Sequence, residues 1–139
     1  MVRMHELFEH TADLGLRATA SNLDDLFVEA GICLTSAIVD DIDTIEPRVE
    51  TTVRIEGTDL EYLMFDWLRH LLYLFEEGQW LFRTFEVKHS ESGLSAIAFG
   101  EPYDPTRHAL AREVKAITYH ELKVEPTADG WLAEVIVDI

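Results

Sequence analysis

The apolar residues of this chain change period repeatedly, and that changing rhythm constrains its fold more than any other feature. Leu14, Leu16, Ala18 and Ala20 alternate, the spacing that lines one face of a strand. Helical spacing follows in Leu23, Leu26, Phe27, Ala30, Leu34, Ala37 and Ile38, which predicts a first amphipathic helix with Asp25 and Glu29 off its apolar stripe. Ser21 and Asp24 have the spacing of a capping box at its start. Asp40, Asp41 and Asp43 close the element. They read as a solvated loop, because the glycine and terminal glutamate of a calcium loop are missing.

Alternation returns in Val49, Thr51, Val53 and Ile55 and stops at Gly57. Thr58 is the expected cap of a second helix, with Asp59 and Glu61 in the first turn, where the helix dipole favours acids. Its stripe is Leu60, Leu63, Met64, Trp67, Leu68, Leu71 and Phe75. Phe65, Leu72 and Tyr73 fall outside that stripe, so this helix is expected to be covered on more than one side. Trp67 is expected in the core, and Gly78 is the expected C-terminal stop. Strands follow over Phe82 to Val87 and Leu94 to Phe99, then a loop from Gly100 to Arg107. Val114, Ala116, Thr118, His120, Leu122 and Val124 alternate and predict one continuous strand. Asp129-Gly130 separates it from the alternating Trp131, Ala133, Val135, Val137 and Ile139, a hairpin signal. Pro126 implies a loop wider than two residues. The expected class is α+β, a two-layer sandwich in which two long amphipathic helices pack on a largely antiparallel or mixed sheet.

With 139 residues and no linker, repeat or low-complexity tract, residues 1–139 are expected to form a single domain. No apolar run has the length of a membrane span, and no leader is expected at the start. The lone Cys33 excludes an intramolecular disulfide framework and a multi-cysteine zinc cage. These features together predict a cytoplasmic protein. Eleven Lys and Arg stand against 27 Asp and Glu, a net charge of -16. Such a surface repels phosphate backbones, so no strong direct nucleic-acid binding is expected. It suits solubility, the commoner reason for such a charge, or else docking on a basic partner.

Three segments hold polar residues that patterning leaves unexplained: His10-Thr11-Ala12-Asp13, Lys115 to His120, and Asp138. If the last hairpin turns at Asp129-Gly130, Asp138 comes back beside His120 and Glu121. Asp138 adjoins Ile139 and its terminal carboxylate, and two anions at a fixed strand end need water or a cation. A third carboxylate, from Asp13, makes an oxygen-rich pocket of the kind hard divalent cations such as calcium or magnesium prefer. Ordinary readings stand beside this one. Asp13 fits an Asx turn, Asp138 a solvent-facing strand position, His10 and His120 satisfied structural histidines, and Lys115 a solvent-facing residue. By alternation Lys115 shares a face with Ile117 and Tyr119, where its ammonium needs an anion or an open edge. No glycine-rich phosphate loop, zinc-protease spacing or nucleophile elbow is found.

Several stretches taken together resemble the archease family. They are Phe8-Glu9-His10-Thr11-Ala12-Asp13-Leu14-Gly15, Asp66-Trp67-Leu68, Leu71-Leu72-Tyr73-Leu74-Phe75, Gly100-Glu101-Pro102-Tyr103-Asp104, Arg107-His108, Glu113 to His120, and Val135-Ile136-Val137-Asp138-Ile139. They run in order along the whole chain. The resemblance implies an accessory protein, not itself an enzyme, that activates the GTP-dependent RtcB-type tRNA-splicing ligase by promoting guanylylation and repeated turnover. It therefore implies indirect association with tRNA. It also implies a metal site at Asp13 and Asp138, with Ile139 as a further ligand, and a role for Lys115 in ligase activation. His10 and His120 are candidates for a surrounding shell.

Two other classes fit the residues alone. One is a metal-dependent hydrolase using Asp13, His10, His120 and Asp138, a mixed set suited to zinc or manganese. The other is a chaperone-like binding module for nucleic-acid-processing proteins.

Overall fold

The computed structural model describes residues 3–10 and 13–139. Thr11 and Ala12 of the His10–Asp13 segment lie outside the described residues. The elements in chain order are β1 (Met4–His10), β2 (Asp13–Ala20), α1 (Leu23–Ile38), a 3-10 turn (Ile42–Thr44), β3 (Val49–Glu56), α2 (Leu60–Gly78), β4 (Trp80–Ser90), β5 (Gly93–Pro102), β6 (Ala116–Ile117), β7 (Lys123–Pro126) and β8 (Trp131–Asp138).

The class is α+β, as the periodicity predicts, and the strands divide between two sheets. One runs β1-β2-β8-β6, with β7 also paired to β8; the other runs β3-β5-β4. Every strand pair is antiparallel. Helix α1 packs against β2 of the first sheet and β4 of the second. This placement explains why Leu26 to Thr35 is buried without a break. Glu29 is therefore buried too, with its Oε1 3.2 Å from His5 Nδ1. Its expected solvent-facing position does not exist, because a helix between two sheets has no wet face at that turn.

Both helix starts lie one residue beyond the expected cap. Asn22, not Ser21, caps α1 by accepting from Asp25 N–H at 2.9 Å. Asp59, not Thr58, caps α2 by accepting from the N–H groups of Glu61 and Tyr62. Each of these side chains offers its acceptor oxygen to the exposed first-turn donors. Helix α2 ends on Gly78, but the left-handed residue that closes it is Gln79, φ 57°. Trp67 is fully buried and donates its Nε1–H to the Phe27 carbonyl at 2.9 Å, tying α2 to α1. Phe65 and Leu72 are buried as well, whereas Tyr73 is exposed. The Thr127 N–H donates to the Gly130 carbonyl, closing a loop wider than two residues between β7 and β8.

Strand β5 extends through Pro102, further than expected, and carries Glu101 into the interior. Its carboxylate is fully enclosed. Oε2 accepts from Glu46 N–H at 2.8 Å, Arg107 Nη1 at 2.9 Å and His108 Nε2 at 2.9 Å. Oε1 accepts from Arg48 Nε at 2.9 Å and Arg107 Nη2 at 2.6 Å. His108 Nδ1 accepts from Asp104 N–H at 2.8 Å, which puts the ring proton on Nε2, facing Glu101. The Arg107 guanidinium, against the opposing effect of burial, holds the Glu101 carboxyl far below the usual carboxylate range; the Glu46 N–H, Arg48 and His108 add to this. This cluster anchors the irregular stretch that crosses from β5 in one sheet to β6 in the other. The same stretch is tied to the end of α1 by Ala111 N–H to the Ile38 carbonyl and by Arg112 to the Ala37 carbonyl at 2.6 Å. A guanidinium there also meets the negative end of the helix dipole.

Candidate functional site at one end of the five-stranded sheet

Strand register decides which of the polar residues meet. His10 on β1 pairs with Asp13 on β2. Leu14 pairs with Val137 and Ala116 with Asp138. Continuing the β2–β8 register by one step sets Asp13 opposite Asp138. One end of the sheet thus carries His10, Asp13, Asp138 and Ala116 in a row across four strands. Directly opposed residues share a face. Asp13 and Asp138 both lie opposite the core-facing set Leu14, Leu16, Val135 and Val137. Asp138 and Ile139 are exposed, and Asp13 is half-buried. The Asp138 carbonyl accepts from Lys115 N–H at 2.7 Å, so the backbone of Lys115 is fixed at this end. Its side chain is exposed and makes no ion pair among the described residues.

Two expectations change here. The continuous strand over 114–124 is broken: β6 and β7 both pair with β8, but residues 118–122 stand opposite only Val135 and Ile136. Asp138 therefore lies beside Ala116 rather than beside His120 and Glu121. The extra residues bulge outward. They are pinned by Tyr119, whose ring stacks on Phe65 of α2 at 3.8 Å and meets Tyr62 edge-on at 5.5 Å. Thr118 Oγ1 donates to the Ile136 carbonyl and accepts from His120 N–H. Glu121 closes the bulge with φ 53°, a left-handed conformation unusual for a side-chain-bearing residue. The break also ends the expected alternation: Ile117 is buried whereas Lys115 and Tyr119 are exposed.

The bulge turns its polar side chains toward β1. His10 Nε2 lies 2.9 Å from Glu121 Oε2, and His120 Nε2 lies 3.7 Å from Glu121 Oε1. The two imidazoles meet edge-on with centroids 5.3 Å apart. Glu121 is the residue that the sequence reading left out of the candidate site. Its neighbour His120 marked the place, but a left-handed glutamate leaves no trace in an alternation pattern.

The outer face behind this end is held by close packing. The Phe8 ring covers Gly15 so tightly that a Cβ there would lie 2.2 Å from Phe8 Cζ. The Arg17 guanidinium lies over the Phe8 ring, 4.3 Å from its centroid, and bonds Glu6 and Glu134. Glycine at position 15 thus follows from a ring occupying the volume of its missing side chain.

Fold and site together define a small antiparallel α+β protein that gathers carboxylates and imidazoles at one sheet end. Residues 5–139 match the model of the Archease protein family (MTH1598/TM1083). The chain is 44% identical over 138 residues to protein archease of Methanopyrus kandleri, covering 96% of this chain and 98% of that one. It is 39% identical over 143 residues to protein archease of Pyrococcus furiosus, covering 99% and 100%. Among solved structures, the solution structure of Methanobacterium thermoautotrophicum protein 1598 superposes with a TM-score of 0.85 at 31% identity, covering 97% of this chain and 98% of that one. A Thermotoga maritima archease, called a possible chaperone, shares the fold with a TM-score of 0.67 at 22% identity over the full length of both chains. The chain belongs to the archease family. No helix among the described residues is long and apolar enough to cross a membrane.

Proposed function

We propose that this protein activates an RtcB-type tRNA-splicing ligase, promoting guanylylation of the ligase by GTP and its repeated turnover. The observation that carries the reading is the strand register at the sheet end. It brings Asp13, Asp138 and the backbone of Lys115 into one neighbourhood, and these are the positions the archease pattern singles out.

Asp13 and Asp138 offer only oxygen donors, with Ile139 adjacent, and such a set suits calcium or magnesium. A divalent cation bound there supplies positive charge where a nucleotide's phosphates approach. Asp13 and Asp138 hold and orient it from adjacent strands whose relative position is fixed by backbone pairing. The exposed ammonium of Lys115 offers a compact point charge to phosphate. The net charge of -16 favours encounter with a basic ligase and disfavours direct binding of tRNA, so association with tRNA is indirect.

The test mixes the protein with its ligase, GTP and metal and follows covalent GMP on the ligase in a single turnover. Wild type accelerates labelling; Asp13→Ala, Asp138→Ala and Lys115→Ala do not, although Lys115→Ala still forms the complex. Wild-type rates from all three variants would refute the assignment. Phosphoester hydrolysis without any ligase would replace it with a metal-dependent hydrolase.

A further inference from the structure

We propose that His10, His120 and Glu121 form a second metal site, distinct from the Asp13–Asp138 pair and selective for a borderline transition ion of the zinc class. One ligand atom from each of the three residues lies within 4.8 Å of the others. Two imidazole nitrogens and one carboxylate oxygen form a donor set that zinc accepts, leaving a fourth tetrahedral position for water. Bonds of about 2.0–2.1 Å place tetrahedral donors roughly 3.3 Å apart. His10 Nε2 lies 2.9 Å from Oε2 of Glu121 and His120 Nε2 lies 3.7 Å from its Oε1, so the two imidazoles flank one carboxylate at close to that spacing. Small side-chain rotations therefore admit an ion without moving a strand.

The backbone is arranged to deliver these groups. His10 stands at the end of β1, and the other two stand at the tip of the bulge between β6 and β7. A left-handed glutamate is strained and persists only where its surroundings enforce it. Here Tyr119 fixes the bulge on α2, and Glu121 projects onto His10. Nε2 of His10 faces the Glu121 carboxylate at 2.9 Å. With Nε2 on a metal ion, the single hydrogen of the neutral His10 ring sits on Nδ1. That atom is enclosed and has no hydrogen-bond partner among the described residues. The site discriminates against hard cations, because two of its three donors are imidazole nitrogens.

The nearby carboxylate pair belongs to different strands and a different donor class. The two sites are therefore separable by substitution, and this inference does not depend on ligase activation. The experiment titrates the metal-free protein with Co²⁺, reading the visible absorption of a tetrahedral ion, and with Zn²⁺ in competition. One equivalent is expected to bind with tetrahedral absorption, undisplaced by excess Mg²⁺ or Ca²⁺. His120→Ala and Glu121→Gln should each lower zinc affinity by more than about 100-fold, since even outer-sphere partners account for 10–100-fold. Both residues are exposed, so these variants should keep the wild-type thermal transition in the absence of metal. Asp138→Asn should leave the cobalt spectrum and the affinity unchanged. Unaltered zinc affinity in His120→Ala would overturn the proposal. So would equal loss in Asp138→Asn, which would make the two sites one.

Discussion

Replacing Glu101 removes the acceptor on which five donors converge, and the structure grades the cost of doing so. In Glu101→Ala, the fully enclosed Nε2–H of His108 and the N–H of Glu46, which donates to the buried carboxylate, lose their acceptor. An orphaned donor costs about 1–3 kcal/mol, so the pair predicts a loss of about 3 kcal/mol. Arg48 and Arg107 reach solvent and recover hydration there, so they add little. Glu101→Gln keeps one acceptor, which belongs where the three Oε2 donors meet, and sacrifices charge assistance; about 1.5 kcal/mol is expected. Unfolding entropy of about 2.1 cal/mol/K per residue turns these values into Tm decreases of about 10 °C and 5 °C. Acid changes the comparison. The folded-state carboxyl titrates well below its ordinary value of 4.5, so its contribution is complete above that pH. It is lost as pH falls below 4.5, where the unfolded chain takes up the proton first. The Gln variant lacks this loss, so the gap between it and wild type narrows with acidification. Calorimetry from pH 7 to pH 3 measures both effects. Hydrogen exchange should show faster opening of residues 103–115 in the Ala variant. Equal Tm values for wild type and Glu101→Gln at neutral pH, or a gap that widens in acid, would refute the reasoning.

Gly15→Ala drives a methyl group into the Phe8 ring and should cost about 1–3 kcal/mol, the usual range for overpacking; a denaturant melt measures it, and Gly15→Ala with Phe8→Ala should recover part of the loss. Asp138→Asn should retain the fold but abolish any rise in Tm with Ca²⁺ or Mg²⁺, read by thermal melts with and without the ions. The Cys33 thiol is pushed up to about 12, chiefly by burial, so it should react with a thiol reagent at neutral pH only at the rate of unfolding, and reaction in the native state within minutes would contradict the packing around it. Association with a basic ligase should slow as salt rises, with dissociation changing less, because the -16 charge acts mainly on encounter.

Periodicity sufficed for both helices, the α+β class and the core role of Trp67, because these depend on spacing along one element. The opposition of Asp13 and Asp138 rests on the β2–β8 pairing, which the hairpin signal does not reveal; alternation says only which face each residue takes, not the register. Three other features escaped. The break between β6 and β7 is hidden because Thr118, His120 and Leu122 continue an alternation that no strand uses; stacking of Tyr119 on Phe65 decides the matter through a contact remote in sequence. Glu101 sits in a stretch rich in Gly, Pro and Asp, where composition indicates a surface loop, and only the convergence of Arg48, Arg107 and His108 makes its burial tolerable. Glu29 lost its wet face because two sheets cover α1, and no single-helix pattern reports a second covering layer.

The central position of β8 also sets the order in which this molecule can assemble. β1–β2 and β4–β5 pair neighbours in sequence, and each ladder can close early. The β2–β8 ladder joins partners such as Arg17 and Glu134, 117 positions apart, and loop-closure entropy delays such contacts. The row of residues at the sheet end is therefore completed late in folding, together with the global transition. Once formed, amides in the paired middle of β2 and β8 should exchange only when the whole chain opens.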